Sequence, residues 1–484
     1  ETAPAGNTSD ATSNFAVTGD TTAPIVSSIS ATDNQGGVSI SDNITVTFSE
    51  AMELSYITTN TSDTNCAGTT SVSSDNFGTC IRMSAEPSSS NSKKTFTLDP
   101  YDNLTAGTTY KIRVTTGVKD KAGNALSNQY ETSSGFTTPI TVNTFTLSDT
   151  ALKSGDNATV TLVFSEAVAS FSSSADITVD NGTLATMTSS DNITWTGTFT
   201  PTTNTDDANN IISLASSYID VAGNTGPTAT TANYEVDTIY PTISSVAITS
   251  ATGIQNNLLN PGDVVSVTAN FSESVIVDNA SGTPTLTFVV GSTNRTATYT
   301  SGDNSTALVF KYTIQAGDTD TDGISILANV LALNGGTIRD AADNNATLTH
   351  SAVSDNSSYK VDTTAPTASW SAATDNVGTV TGALTSGDTT DDTALVLSGT
   401  NEAGSTVTVY NGTTEIDNAT VSSTNWSYTA TVVDGTTYQF NVKETDAASN
   451  TSAATSNFAV TGDTTPPTVG SVSITSATGL QNNF

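Results

Sequence analysis

The sequence holds one histidine, two cysteines, three methionines and 13 lysine or arginine residues among 484. Each scarcity excludes something. Without a basic face the chain cannot neutralise phosphate, so it is not a nucleic-acid binder. One histidine, His350, removes most general acid–base, nucleophilic and zinc chemistry, which usually draws on that residue. No run of 18 apolar residues is present, so no membrane-spanning helix is expected. There is no initiating methionine and no signal-peptide pattern, and the chain reads as a fragment or a processed product. Cys66 and Cys80 allow one local disulfide; metal binding through them is the weaker reading, since no other cysteine is available.

What is present is acid, hydroxyl and amide. Asp and Glu number 47, so the formal charge is 13 − 47 = −34. Charged residues are only 12% of the chain, about half the usual share, and nearly all of them are acidic. Hydrophobic residues at 35% are too many for a disordered acidic chain. Thr, Ser, Asn, Asp and Val disfavour helix interiors and favour strands and turns. Short alternating runs follow: Ile44–Phe48, Val160–Phe164, Val265–Ala269 and Tyr438–Val442. Many such runs bounded by Gly, Asn, Asp or Pro predict an all-β chain of antiparallel β-sandwiches.

The chain repeats itself. Residues 1–24 and 444–467 are identical at 19 of 24 positions, and residues 241–257 and 467–483 at 13 of 17. A linker recurs as Asp20-Thr-Thr-Ala-Pro24, Asp237-Thr-Ile-Tyr-Pro241, Asp362-Thr-Thr-Ala-Pro366 and Asp463-Thr-Thr-Pro-Pro467; Thr137-Thr138-Pro139 occupies the remaining boundary without an aspartate. These divide the chain into the end of one repeat (1–20), four domains (21–138, 139–237, 238–362 and 363–463) and the start of another (464–484).

Two more motifs appear once per domain, in fixed order. A strand ends in acid at Phe48-Ser49-Glu50, Phe164-Ser165-Glu166 and Phe271-Ser272-Glu273, with Thr400-Asn401-Glu402 in the fourth domain. Near each domain's end stand Asp120-Lys-Ala-Gly-Asn124, Asp220-Val-Ala-Gly-Asn224, Asp340-Ala-Ala-Asp-Asn344 and Asp446-Ala-Ala-Ser-Asn450. Linker, strand end and loop in this order resemble the bacterial immunoglobulin-like repeats of very large secreted surface adhesins of the RTX type. The first domain resembles the S-layer type of Ig-like domain. The resemblance implies tandem Ig-like sandwiches in an elongated, extracellular array on a bacterial surface. It also implies a non-catalytic extender role, often stiffened by calcium.

Strand direction places the acids. In such a sandwich the second strand ends where the linker enters, and the loop before the last strand returns to the same end. Asp20, Glu50 and Asp120 should therefore meet at one domain entrance, with Asn124 as a further oxygen donor. Glu166, Asp220 and Asn224 form the second set. Asp237, Glu273 and Asp340 form the third, and Asp362, Glu402 and Asp446 the fourth; Asp463 opens the next. Acids from the far end of the preceding domain are expected to join them: Asp206 and Asp207 at one junction, Asp318, Asp320 and Asp322 at another. Oxygen-only donors select Ca²⁺ over zinc or copper. The competing reading is that these are solvated turn residues, which Asp and Asn favour without any metal.

The expected partners are neighbouring repeats of the same chain, with lateral self-association in a filament or S-layer-like assembly as the alternative role. Carboxylate-only glycosidase chemistry is compatible with the composition, but the acids recur at junctions rather than once in a cleft. Tyr110 and Tyr438, each after Gly-Thr-Thr, are expected as core or corner tyrosines. Trp195 and Trp426 are expected in cores, Trp370 in a first strand, and His350 in an exposed polar loop.

Overall fold

A computed structural model describes residues 19–473. Strands dominate, as the composition requires; the one α-helix among the described residues is the single turn Ser173–Asp176. Packing divides the chain into two units, Glu1–Ile239 and Tyr240–Phe484. Each unit holds two clusters of buried apolar side chains. Those of the first unit run from Ile29 to Phe136 and from Ile140 to Val236. Those of the second run from Val246 to Val361 and from Ala373 to Val460.

The first domain shows how the pattern becomes structure. Ile44–Phe48 buries alternate residues, and Ile44, Val46 and Phe48 are almost fully enclosed. Each such side chain contributes roughly 1.5–3 kcal/mol by leaving water. This strand lies between Val26–Ile29 and Thr95–Leu98, with Ser88–Ser90 beyond. The facing sheet is built on Thr109–Val114, which pairs Thr70–Ser73, Tyr130–Glu131 and Phe136–Thr137. The second domain sets Gly182–Leu184, Thr194–Pro201, Ala158–Phe164 and Val142–Leu147 in one sheet.

Most pairing is antiparallel, with one recurrent exception. Ala151–Lys153 runs parallel to Tyr234–Asp237, Leu258–Leu259 to Lys360–Asp362, and Thr389–Thr390 to Phe458–Gly462. Period-2 patterning cannot reveal this, because it reports a residue's face and not its partner. The cause is topological. Both the segment after the first strand and the last strand run away from the domain entrance. When that segment crosses to the second sheet, the two lie side by side in one direction.

Tyr110 is buried and its hydroxyl accepts the Thr105 N–H at 2.8 Å; the Tyr438 hydroxyl accepts the Val433 N–H at 3.2 Å. Both are corner tyrosines that bond backbone five residues upstream. Trp426 is a core residue whose Nε1 donates to Ser369 O at 3.0 Å. Trp370 stacks on Phe458, and Trp195 meets Phe171 edge-on. Cys66 and Cys80 form a disulfide. His350 departs from its expected exposure. It is buried, its Nε2 accepts the Val330 N–H at 3.0 Å, and its backbone N–H donates to Asn329 Oδ1 at 2.8 Å. A polar sequence neighbourhood concealed a side chain used as a local brace. No helix among the described residues is long and apolar enough to cross a membrane.

Candidate metal centres at the domain entrances

The loop that carries Asp120 is a small closed device. The Asp120 N–H donates to Asn124 O at 3.0 Å, and the Asn124 N–H returns to Asp120 Oδ1 at 2.8 Å. Asn124 Nδ2 donates to Asp120 Oδ2 at 2.8 Å. The same bonds link Asp220 with Asn224, Asp340 with Asn344 and Asp446 with Asn450. The turn needs a left-handed residue before the asparagine. Gly123 and Gly223 supply it at φ of 93° and 88°, whereas Asp343 and Ser449 adopt it at 75° and 70°. A side chain there is strained, and glycine is not.

The strand end that carries the glutamate is held by its serine. Ser49 Oγ accepts the Ile25 N–H at 3.1 Å while the Ser49 N–H donates to Ile25 O at 3.0 Å. Ser165 clamps Thr141 in the same way, at 3.0 and 2.9 Å, and Ser272 clamps Thr242, at 3.0 and 2.8 Å. In each case the clamped residue lies one or two positions past the linker proline. The serine extends the ladder across a register shift near the strand start. Glu50, Glu166 and Glu273 follow immediately and are thereby fixed in position.

In the first domain these elements converge. Asp20, Glu50 and Asp120 each place a carboxylate oxygen within 4.8 Å of the others. Asn124 Nδ2 also donates to Asp20 O at 3.1 Å, tying the loop to the linker. Burial raises the Glu50 pKa, and the nearby Asp20 and Asp120 charges raise it further; Lys94 opposes this. Burial also disfavours the Asp120 charge, but hydrogen bonds from Asn124, Ala122 and Gly123 outweigh it, and the Asp120 pKa falls.

In the fourth domain the same three positions, Asp362, Glu402 and Asp446, lie near one another but do not all close to 4.8 Å. Asn450 Nδ2 donates to Asp362 O at 2.9 Å. The Glu402 pKa is raised by burial and by the charges of Asp446, Asp362 and Glu444. The second domain has no linker aspartate, and Asn224 Nδ2 donates to Thr137 Oγ1 at 3.0 Å instead. There Glu166 faces Asp220, and burial together with that charge pushes its pKa up to about 7. Glu273 lies half-buried in Val264–Asp278, Asp340 is buried in its loop, and Asp237 ends Tyr234–Asp237.

The acids expected from the far ends of preceding domains behave differently. Asp318 turns into its own domain: Arg295 Nε donates to it at 2.7 Å and the Tyr312 hydroxyl at 2.9 Å. Asp320 accepts the Gly291 and Gly323 N–H groups at 2.8 and 2.7 Å, and Asp322 beside it is exposed. Asp207 accepts Asn181 Nδ2 at 2.9 Å, and Asp206 is opposite Asp237 in the ladder. The Asp-x-Asp-x-Asp-Gly spacing thus marks a turn braced within one domain. Asp318, Asp320 and Asp207 direct their carboxylates to partners within their own domains. Asn124 and Asn224 are likewise not free oxygen donors alone; their amide nitrogens are latches. Asp463 is exposed, and no strand-end glutamate or returning loop follows it among the described residues.

Residues 20–138 and 136–236 match two different family models, each described as a bacterial Ig-like domain. Neither model describes an enzyme. Among solved structures, the N-terminal part of the bacterial S-layer protein SbsC is similar at 19% identity, covering 45% of this chain and 44% of that one, with a TM-score of 0.19. The S-layer protein rSbsC(31-844) is similar at 15% identity over 93% of this chain and 55% of that one, with a TM-score of 0.18. Sidekick-1 immunoglobulin domains 1–5 are similar at 10% identity over 90% and 80%, with a TM-score of 0.24. The chain spans about half the length of the S-layer structures it matches. A search of curated proteins finds no match. The first two domains are thus bacterial Ig-like domains, and the described chain is nearly all-β, built of antiparallel sheets.

Proposed function

We propose that this chain is a non-catalytic extender of a large bacterial cell-surface adhesin, stiffened by Ca²⁺ at its domain entrances. The observation that carries this reading is the meeting of Asp20, Glu50 and Asp120 from a linker, a strand end and a loop. Three carboxylates so close repel one another, and burial together with the Asp20 and Asp120 charges raises the Glu50 pKa. A hard cation with oxygen ligands at 2.3–2.6 Å removes that repulsion, and the donor set contains no nitrogen or sulfur that would favour zinc or copper. Because one donor comes from the linker, an ion there joins linker to domain and removes a hinge. The Asp362, Glu402 and Asp446 set supports the same role in the fourth domain. The second domain, with Thr137 in place of the linker acid, is then the softest of the entrances.

The reading is tested by small-angle scattering and thermal melting of the full chain in calcium and in EDTA. Chelation is expected to broaden the scattering-derived distance distribution and lower the melting temperature. Unchanged curves in both measurements would sink the proposal.

A further inference from the structure

In the first three domains the residue two places before the loop aspartate is apolar and buried: Val118, Tyr218 and Ile338. In the fourth it is Glu444, and it is 0% exposed. A carboxylate in a core position is costly unless something positive or protic meets it. One oxygen is satisfied: Glu444 Oε1 accepts the Glu402 N–H and the Ser405 hydroxyl. The other, Oε2, is buried and no protein donor reaches it.

A second orphan belongs to the same cluster. Asn401 is 7% exposed, and its Oδ1 is also buried without a protein donor. The amide cannot be turned to relieve this. Its Nδ2 already faces the Glu402 and Ser423 carbonyls, at 2.7 and 3.3 Å, and only a donor suits that place. Nδ2 also lies 3.3 Å from Ser405 Oγ, the hydroxyl that Glu444 holds at 2.6 Å. The two side chains that carry these unpartnered oxygens therefore meet at one hydroxyl, through Asn401 Nδ2 and Glu444 Oε1. The charges of Asp446, Asp362 and Glu402 stand on the same side of the domain.

We infer that Glu444 and Asn401 form an inner oxygen site for a divalent cation in the fourth domain, beneath the Glu402, Asp446 and Asp362 set. This rests on the calcium reading above and deepens it: the fourth domain takes its ion with a ligand pair that the other three lack. A cation satisfies both orphan oxygens and offsets a carboxylate that the fold otherwise buries at a cost. It also makes this domain the most calcium-dependent of the four.

The test uses the full chain, with Ca²⁺ binding followed by calorimetry and Tb³⁺ luminescence, and melting recorded in calcium and in EDTA. Glu444→Gln keeps the shape and removes the charge. It is expected to weaken binding at one site by tenfold or more while leaving the others unchanged. Glu444→Val restores the side-chain type of the other domains. It is expected to melt higher than the parent in EDTA and to lose the fourth domain's gain from calcium. The inference is overturned if Glu444→Gln binds the same number of ions with the same affinities while Glu402→Gln does not. It is also overturned if both Glu444 variants lose equal stability with and without calcium, which is the behaviour of a hydrogen-bonded brace. A fourth domain whose stability ignores calcium overturns it too. If the parent chain binds no Ca²⁺ at all, the broader calcium reading fails with it, and the two failures are told apart.

Discussion

The Asn450 side chain donates its amide to the backbone carbonyl of Asp362, 88 positions earlier, at 2.9 Å. The same nitrogen holds Asp446 Oδ2 at 2.8 Å, so one amide joins the linker to the loop aspartate. Asn124 does this for Asp20 and Asp120. Asn450→Ala leaves a buried carboxylate oxygen without its donor and is expected to destabilise the fourth domain by about 1–3 kcal/mol. Chemical denaturation followed by Trp426 fluorescence checks this; a loss below the scatter of the measurement would show that the latch carries no weight.

The serine clamp makes a sharper local prediction. Ser165→Ala removes the acceptor of the Thr141 N–H and should cost the second domain about 1 kcal/mol. Hydrogen exchange at the Thr141 amide is expected to accelerate while the amide of Leu162, in the middle of its strand, stays protected. Equal protection at Thr141 before and after the substitution would contradict the clamp.

Glu166 predicts a pH dependence opposite to that of a salt-bridged acid. Its folded pKa of about 7 lies above the ordinary value of 4.5. Between those values the folded chain holds a proton that the unfolded chain has released, so stability from this group falls as pH rises from about 4.5 to 7. In EDTA the second domain should melt higher at pH 5 than at pH 7.5, and Glu166→Gln should flatten that difference. A wild-type slope retained by the variant would assign the effect to another group.

Ser449 occupies the turn position that glycine holds in the first two domains, with φ of 70°. Ser449→Gly should relieve the strain and stabilise the fourth domain by about 1 kcal/mol, and Gly223→Ala should destabilise the second by a similar amount. Paired melts in EDTA measure both signs, and two changes of the same sign would refute the assignment of strain.

Much of this was legible in the sequence because it recurs. Period-2 runs such as Ile44–Phe48 announce strands, and the fixed order of linker, Phe-Ser-Glu and Asp-x-Ala-Gly-Asn places three acids at one end. What escaped was orientation. Asp318 and Asp320 have the spacing of ligands, but Arg295, Tyr312 and two glycine N–H groups draw them inward, and those partners lie at least 23 residues away in two cases and close by in the others. Ser49 and Ser165 stand between a core phenylalanine and an acid, and their clamp exists only once the partner strand is in place. Glu444 sat just outside the motif at Asp446. Aligning the four loops by their aspartates and asking what stands two positions earlier would have exposed it beside Val118, Tyr218 and Ile338.

The most direct test is a high-resolution crystal structure of the chain grown in calcium. The account predicts a density peak of calcium strength bonded at 2.3–2.6 Å to carboxylate oxygens of Asp20, Glu50 and Asp120, and a corresponding peak at Asp362, Glu402 and Asp446. Water-strength density at hydrogen-bonding distances from those oxygens, at saturating calcium, would contradict it.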